Sequence, residues 1–268
     1  MTDPNSLDAY APAEIAARVE VSGVGKANLP TLPMFVLALL AGAFIAFGGM
    51  FFTLVITDSG MGFGPQRLLG GIAFSLGLIL VVVGGAELFT GNTLIVMAWA
   101  ARKITTLQLL RNWVIVYIGN LVGSIATAVT VYWSGILALD NGAVAITAIG
   151  IADAKVALPF TEALLRGLFC NVLVCLAVWL CVAARSVVGK IFAIVFPISA
   201  FVALGFEHSV ANMYLIPVGW MAGSDVVTLE GLIGNLVPVT LGNIIGGGVL
   251  VALVYWLVYL RHTDGSAG

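Results

Sequence analysis

Charged residues divide the chain into six apolar segments, whose lengths predict membrane-crossing helices. A helix needs about 20 apolar residues to cross a bilayer. Four segments have about that length: they lie between Lys26 and Asp58, Arg111 and Asp140, Arg166 and Arg185, and Glu230 and Arg261. The other two, 68–101 and 191–224, are interrupted only by Glu87 and Glu207. Each is too long for one simple crossing and too short for two, so we predict that each crosses once and is broken near its glutamate.

Composition agrees with this pattern. The chain is 61% hydrophobic and 9% charged, whereas a soluble protein carries about 25% charged residues. A soluble domain this apolar would not cover its own surface, so the predicted fold class is an all-α membrane protein with six transmembrane helices in a lipid bilayer. The net charge of −2 gives no basic field that would attract nucleic acid.

The distribution of Lys and Arg predicts the orientation, because these residues concentrate on the cytoplasmic side. Six crossings place both termini on one side. Eight of the eleven basic residues fall on that side: Arg18, Lys26, Arg102, Lys103, Arg111, Arg185, Lys190 and Arg261. We therefore expect an inner (plasma) membrane protein with cytoplasmic tails at 1–30 and 262–268. Residues 1–30 contain no apolar run and do not resemble a signal peptide, so we expect a short polar, partly helical tail.

The two halves of the chain match each other. Ala38, Gly42 and Phe44 recur 125 positions later, Gly85, Glu87 and Asn92 recur at 120, and Asn112, Gly119, Asn120 and Gly123 recur at 123. Because each half holds three crossings, the second enters the membrane inverted. We predict three-helix repeats at 31–145 and 156–261, with the second and fifth helices broken, an architecture typical of transporters and channels.

The predicted breaks read GAELFTGNT (85–93) and GFEHSVANM (205–213). Irregular backbone at membrane depth persists only where it is buried in protein or lines a cavity. Thr90 and Ser209 are good N-caps for the half-helices that follow. Inversion directs both half-helix N-termini at the protein centre, where their partial positive charge favours an anion. The Asn-Pro-Ala boxes of water channels are absent from the sequence.

The ionisable residues at the breaks differ in their predicted roles. Glu87 and Glu207 occur in both halves, so we expect them to accept backbone N–H groups of the broken helices, with proton transfer as the alternative. His208 has Leu88 as its counterpart, and a lone intramembrane His that titrates near neutral pH indicates function. Lys155 falls in the third external loop, where a solvated charge is the ordinary expectation.

Other polar and sulfur-containing residues are less informative. Asn171 is equally compatible with a helix–helix hydrogen bond and a pore-lining donor. His262 lies in the tail and is expected to be inert. Cys170, Cys175 and Cys181 share one apolar run and match no metal motif, so we interpret them as packing residues and expect no metal or cofactor.

At the breaks the sequence resembles the formate–nitrite transporter family. The stretches that carry the resemblance are GAELFTGNTLIV, GFEHSVANMYLIP, NVLVCLAVW from Asn171 to Trp179, and NLVPVTLGNIIGGG near the end. It extends from about residue 10 to Arg261. It implies a pentamer of aquaporin-like protomers, each with its own pore. It implies a mobile gating loop around Leu88 to Thr90, flanked by structural polar residues; with them the candidate set is Glu87, Phe89, Gly91, Asn92, Glu207, Ser209 and Asn212.

The resemblance also implies a pore lining. Phe74 and Phe201 would form the outer constriction, and Leu78 and Leu88 the inner one. His208, Thr90, Asn171 and Lys155 match the polar residues of the centre and the vestibule. Formate is the expected substrate, and nitrite, hydrosulfide, acetate and lactate are alternatives.

The mechanistic hypothesis follows from the cost of desolvating an anion in an apolar neck. Lys155 and the half-helices attract the anion, and His208 stabilises it and donates a proton, so that transport is coupled to protons. A membrane enzyme is disfavoured, because the sequence has neither an HExxH motif nor a Ser/His pair. A neutral-solute pore is the remaining alternative.

Overall fold

The computed structural model describes residues 9–261, and all the regular structure within that range is helical. The helices are α1 (Pro12–Ala27), α2 (Thr31–Ile56), α3 (Phe63–Gly84), α4 (Phe89–Asn92), α5 (Val96–Ala100), α6 (Thr106–Trp133), α7 (Ala143–Val156), α8 (Phe160–Ala183), α9 (Val187–Ala203), α10 (Ser209–Met221), α11 (Leu229–Ile244) and α12 (Val254–Tyr259). Short 3-10 turns lie at Thr93–Ile95, Ile136–Ala138 and Asp140–Gly142, and a π-helical stretch at Ile245–Leu253 joins α11 to α12. Residues 1–8 and the tail 262–268, with His262, lie outside the described residues.

Five helices within residues 9–261 are long and apolar enough to cross a membrane: Thr31–Ile56, Phe63–Gly84, Thr106–Trp133, Phe160–Ala183 and Leu229–Tyr259. The predicted membrane character is confirmed by these helices. The remaining apolar helices are shorter, Phe89–Ala100 and Val187–Ala203.

Helices α3 and α9 end in the same way. Gly85 and Gly205 follow their last residues with φ of 81° and 72°, in the left-handed region that glycine enters without steric cost. The N–H groups of Ala86 and Phe206 then reach back to the carbonyls of Val81 and Phe201 at 2.9 and 3.0 Å. This is the Schellman arrangement, which satisfies helix-terminal carbonyls. Non-helical backbone follows until α4 begins at Phe89 and α10 begins at Ser209.

The predicted N-caps are wrong by one or two residues. Leu88 occupies the N-cap position of α4, and no side chain caps it. His208 occupies the N-cap position of α10, where its Nδ1 accepts the N–H of Ala211 at 3.0 Å. An imidazole nitrogen that carries no proton accepts a hydrogen bond as a hydroxyl does, so Ser209 is not needed for the cap.

The predicted loop around Lys155 is also wrong, since Lys155 lies in the last turn of α7. The segment is rich in alanine, which favours helix, but at 14 residues it is too short to cross a bilayer. The N-terminal tail is partly helical as predicted, but its helix is packed rather than free: Ile15, Ala16 and Val19 of α1 are buried against the 93–100 segment.

Glycines bring helices into backbone contact within this one chain. A Cβ at Gly123 would overlap the carbonyl oxygen of Leu39 in α2, and a Cβ at Gly246 would overlap that of Leu168 in α8. The Gly119–Gly123 and Gly242–Gly246 pairs therefore pack α6 against α2 and the α11 span against α8, as expected for small residues in membrane helices.

Candidate functional site

Each glutamate at a break belongs to a ring of four polar side chains. In the first ring, Glu87 binds Lys26 Nζ at 2.5 Å and Asn92 Nδ2 at 2.7 Å. Asn112 closes it, accepting from Asn92 Nδ2 at 3.0 Å and donating to the carbonyl of Lys26 at 3.1 Å. Glu87 is 5% exposed, so its buried charge is both paired and hydrogen-bonded, as burial requires.

The second ring repeats this arrangement. Glu207 binds Lys155 Nζ through both carboxylate oxygens at 2.9 and 3.0 Å, and Asn212 Nδ2 at 2.6 Å. Asn235 accepts from Asn212 Nδ2 at 2.7 Å and donates to the carbonyl of Lys155 at 2.8 Å. The structure thus places Lys155 in a half-buried ion pair rather than free in solvent, with 14% of its side chain exposed.

The prediction that the glutamates accept backbone N–H groups is wrong, because asparagines on α6 and α11 do so. Asn120 Oδ1 accepts the N–H of Phe89 at 2.9 Å, and its Nδ2 donates to the carbonyls of Ala38 and Glu87. A side-chain amide offers a donor and an acceptor in one group, whereas a carboxylate only accepts.

Asn243 makes the matching bonds at the second break. Its Oδ1 accepts the N–H of Ser209 at 2.9 Å, and its Nδ2 donates to the carbonyls of Gly167 and Glu207 at 2.7 and 3.0 Å. Both asparagines are fully buried. The sequence match singled them out as repeated residues but did not identify them as the residues that hold the breaks.

The same bonds give the register between the halves. Asn120 binds Ala38 where Asn243 binds Gly167, which relates these helices by 129 positions. The sequence match at 125 paired Ala38 with Ala163. The difference of four residues is close to one helical turn, so both alignments place small residues on the same helix face. The lysines of the two rings, Lys26 and Lys155, are also separated by 129 positions.

The two breaks meet at His208. Its Nε2 lies 2.9 Å from Thr90 Oγ1, and both residues are buried. Since Nδ1 accepts the Ala211 N–H, the hydrogen-bond network assigns the ring proton to Nε2, which donates to Thr90. A second proton on the ring would face the Ala211 N–H, so protonation of His208 must break the helix cap.

Aromatic rings surround one side of this pair. The Phe74 and Phe201 centroids are 5.6 Å apart at an interplanar angle of 83°, and Phe201 stacks on the His208 ring at 6.0 Å. All three residues line a cavity of about 380 Å³ that Lys155 and Glu207 also line. Leu78 and Leu88 are equally buried but do not line this cavity.

Asn171 supports the first break rather than lining that cavity. Its Nδ2 contacts the Thr90 carbonyl and Thr93 Oγ1, both at 3.1 Å, and the Asn243 carbonyl at 2.7 Å. A Cβ at Gly247 would overlap this group, so the π-helical stretch presses directly against it. Of the two interpretations, these donor contacts correspond to the helix–helix hydrogen bond. Asn171 Oδ1 has no hydrogen-bond partner among residues 9–261.

The remaining candidate residues occupy the half-helix starts. The Phe89 ring packs against Tyr117 and Trp113 at centroid distances of 4.9 and 6.2 Å. A Cβ at Gly91 would lie 3.8 Å from Val178 Cγ2, in ordinary van der Waals contact. Ser209 Oγ is buried and has no hydrogen-bond partner in the described part of the chain.

The three cysteines, Cys170, Cys175 and Cys181, are buried free thiols. Within residues 9–261 no group of three His, Cys, Asp or Glu side chains is arranged to hold a metal ion.

The sequence model of the formate/nitrite transporter family matches residues 13–257. The chain belongs to the formate/nitrite transporter family. It is 44% identical to the formate channel FocA of Escherichia coli K12, over 98% of this chain and 99% of that protein. It is 42% identical to a probable formate transporter of Methanothermobacter thermautotrophicus, over 94% and 97% of the two chains.

Solved structures agree with these relatives. A pentameric formate channel with formate bound superposes with a TM-score of 0.80 at 42% identity, covering 86% of this chain and 98% of that one. An ion channel of the same family superposes with a TM-score of 0.85 at 32% identity, covering 91% and 98%. The resemblance inferred from the break motifs is confirmed. This membership makes the chain a multi-pass membrane protein of a transporter family rather than an enzyme.

Proposed function

We propose that the protein carries formate across the inner membrane, with a homopentamer as the working assembly. The proposal rests mainly on the buried His208–Thr90 pair, which joins the two breaks next to the Phe74 and Phe201 rings. Relatives of 44% and 42% identity are named as a formate channel and a probable formate transporter, and the superposed pentameric channel is described with formate bound.

The proposed architecture has six crossings in two inverted repeats. The repeats are 31–145 and 156–261, and the tails 1–30 and 262–268 face the cytoplasm. The second crossing consists of α3 with α4–α5, and the fifth of α9 with α10. Support comes from the two polar rings, which use the same residue types in the same order in both halves. It also comes from the two asparagine clamps, Asn120 and Asn243, which hydrogen-bond the backbone of the first and second breaks.

The half-helix dipoles contribute less to anion binding than the sequence predicts. At the start of α4, Asn120 occupies the N–H of Phe89. At the start of α10, Asn243 occupies the N–H of Ser209, and His208 occupies that of Ala211. An anion at the centre is therefore held mainly by side-chain donors. With Nε2–H of His208 bonded to Thr90 Oγ1, the Thr90 hydroxyl hydrogen remains available to donate to a carboxylate oxygen.

Proton donation by His208 is the second step of the proposal. A neutral ring with its proton on Nε2 acts as a hydrogen-bond donor, and it becomes a proton donor only after a second proton displaces the Ala211 N–H from Nδ1. The imidazolium then lies between the apolar Phe201 ring and the anion, where low polarity strengthens their attraction. In this scheme, formate leaves the site as the neutral acid.

The test is uptake of labelled formate and nitrite into proteoliposomes at two pH values. Formate uptake that nitrite inhibits weakly supports the proposal, and absence of formate uptake refutes it. His208→Asn is the informative variant, because asparagine caps a helix but does not titrate. We expect His208→Asn to fold and to lose the pH dependence of uptake. If His208→Asn keeps the full pH dependence, proton donation by this residue is excluded.

A further inference from the structure

Two arginines lie at the mouth of the cavity that leads to His208. Arg67 of α3 and Arg166 of α8 both line it. They flank Gly205: a Cβ at that position would lie 3.0 Å from Arg67 Nη2 and 4.0 Å from Arg166 Nη1. The missing side chain at Gly205 therefore leaves a space between two guanidinium groups.

Arg67 is fixed in place by the end of α9. Its Nε donates to the Ala203 carbonyl at 3.1 Å and its Nη2 to the Val202 carbonyl at 2.9 Å. Within the described residues, no carboxylate lies within ion-pair distance of Arg67. Arg67 therefore has no direct ion-pair partner among these residues, Glu207 acts on its charge only at longer range, and Nη1 is not used in these bonds.

Arg166 is held only by a weak partner. It pairs through Nη2 with Glu162 one turn away at 3.0 Å, and the two side chains are 42% and 54% exposed. An exposed pair of this kind contributes little to stability, so the guanidinium can turn toward a ligand at small cost. Lys155 is different, because both oxygens of Glu207 already bind it.

We propose that Arg67 and Arg166 form a docking site for a carboxylate or a similar planar oxyanion above Gly205, ahead of the Phe74–Phe201 constriction. Guanidinium groups bind such anions through two parallel N–H bonds. This site rests on the proposed function: it selects and concentrates the anion at one face of the membrane, before the anion reaches His208. Arg166 is a specificity-determining residue in this scheme, and Arg67 also holds α9.

The test compares Arg166→Gln with Glu162→Gln in membrane vesicles of both orientations. For entry from the Gly205 side, we expect Arg166→Gln to raise the formate KM about fivefold, the loss of one partly exposed charge-assisted contact. The maximal rate should stay within about twofold of the unmodified protein, since the centre is untouched. Glu162→Gln frees Arg166 and should lower the KM. Arg166→Lys, which keeps charge without the fork, should give an intermediate value.

Entry from the opposite side is the control. A KM change for Arg166→Gln confined to the Gly205 side supports docking, whereas an equal change on both sides indicates a structural effect and overturns the proposal. An unchanged KM on the Gly205 side also overturns it. If the unmodified protein moves no formate in either orientation, the proposed function itself fails, and the docking site fails with it.

Discussion

Replacing Asn243 with alanine tests whether a single amide holds the second break. The change removes three hydrogen bonds, to the Ser209 N–H and to the carbonyls of Gly167 and Glu207. Buried groups that lose their partners cost about 1–3 kcal/mol each, and hydrocarbon supplies no water as a substitute. The Ser209 N–H counts in full, because the first N–H groups of a helix have no intrahelical acceptor. The Gly167 carbonyl lies within α8 and counts less. We expect a total loss of about 3 kcal/mol in the free energy of unfolding.

The assay is denaturant unfolding of the purified protein in detergent, with formate uptake measured on the same preparations. Asn120→Ala removes the matching bonds at the first break and should destabilise by a similar amount. Thr130→Ala is the control, since its exposed hydroxyl bonds only to the Ala126 carbonyl one turn away. The reasoning is refuted if both asparagine variants unfold within about 0.5 kcal/mol of Thr130→Ala, the scatter expected of surface changes.

Three further changes probe other contacts. Lys155→Met leaves the Glu207 carboxylate buried without its cation and should cost about 3 kcal/mol in unfolding; adding Glu207→Gln should recover most of it, and no recovery would contradict the ion-pair account. Phe201→Ala should widen the outer constriction, so that osmotic swelling in lactate rises relative to formate; an unchanged ratio would remove Phe201 from the selectivity barrier. Gly246→Ala should abolish folded protein in detergent chromatography because its Cβ overlaps the α8 backbone, while Gly234→Ala, with open space around it, should behave normally.

The membrane helices could be predicted from sequence because charge spacing and apolar length express the same requirement, a helix that spans hydrocarbon. The breaks could be located because a single glutamate interrupts each long apolar segment; the structure adds that Gly85 and Gly205 end the preceding helices in a left-handed conformation. Helix α7 was missed because a short apolar stretch between charges looks like a loop when only crossings are counted. The sequence predicted a partly helical tail but not the packing of α1, because its buried face depends on contacts with residues 93–100, which are distant in sequence.

The sequence predicted which residues belong to the site, but not which of them contact one another. His208 and Thr90 were identified from the breaks. Their 2.9 Å contact joins residues 118 positions apart, and a single sequence does not show which distant residues touch. The roles of Asn120 and Asn243 were missed because the glutamates are the only carboxylates near the predicted breaks, and a buried carboxylate must find hydrogen-bond donors. The internal repeat could have revealed these roles, because Asn120 and Asn243 recur together with Glu87 and Glu207. Lys26 and Lys155 are also separated by the 129 positions that relate the carbonyl partners of the two asparagines.

The asparagine clamps at the two breaks hold the backbone with groups that are distinct from the titratable residue at the centre. Asn120 and Asn243 hold the interrupted backbone through neutral amides, which carry no group that titrates near neutral pH. A shift in proton concentration on either side of the membrane therefore acts on His208 and its cap at Ala211, while the amide bonds made by Asn120 and Asn243 are unaffected. A transporter built in this way can respond to acidification at the first turn of α10, while neutral amides keep the interrupted backbone in place.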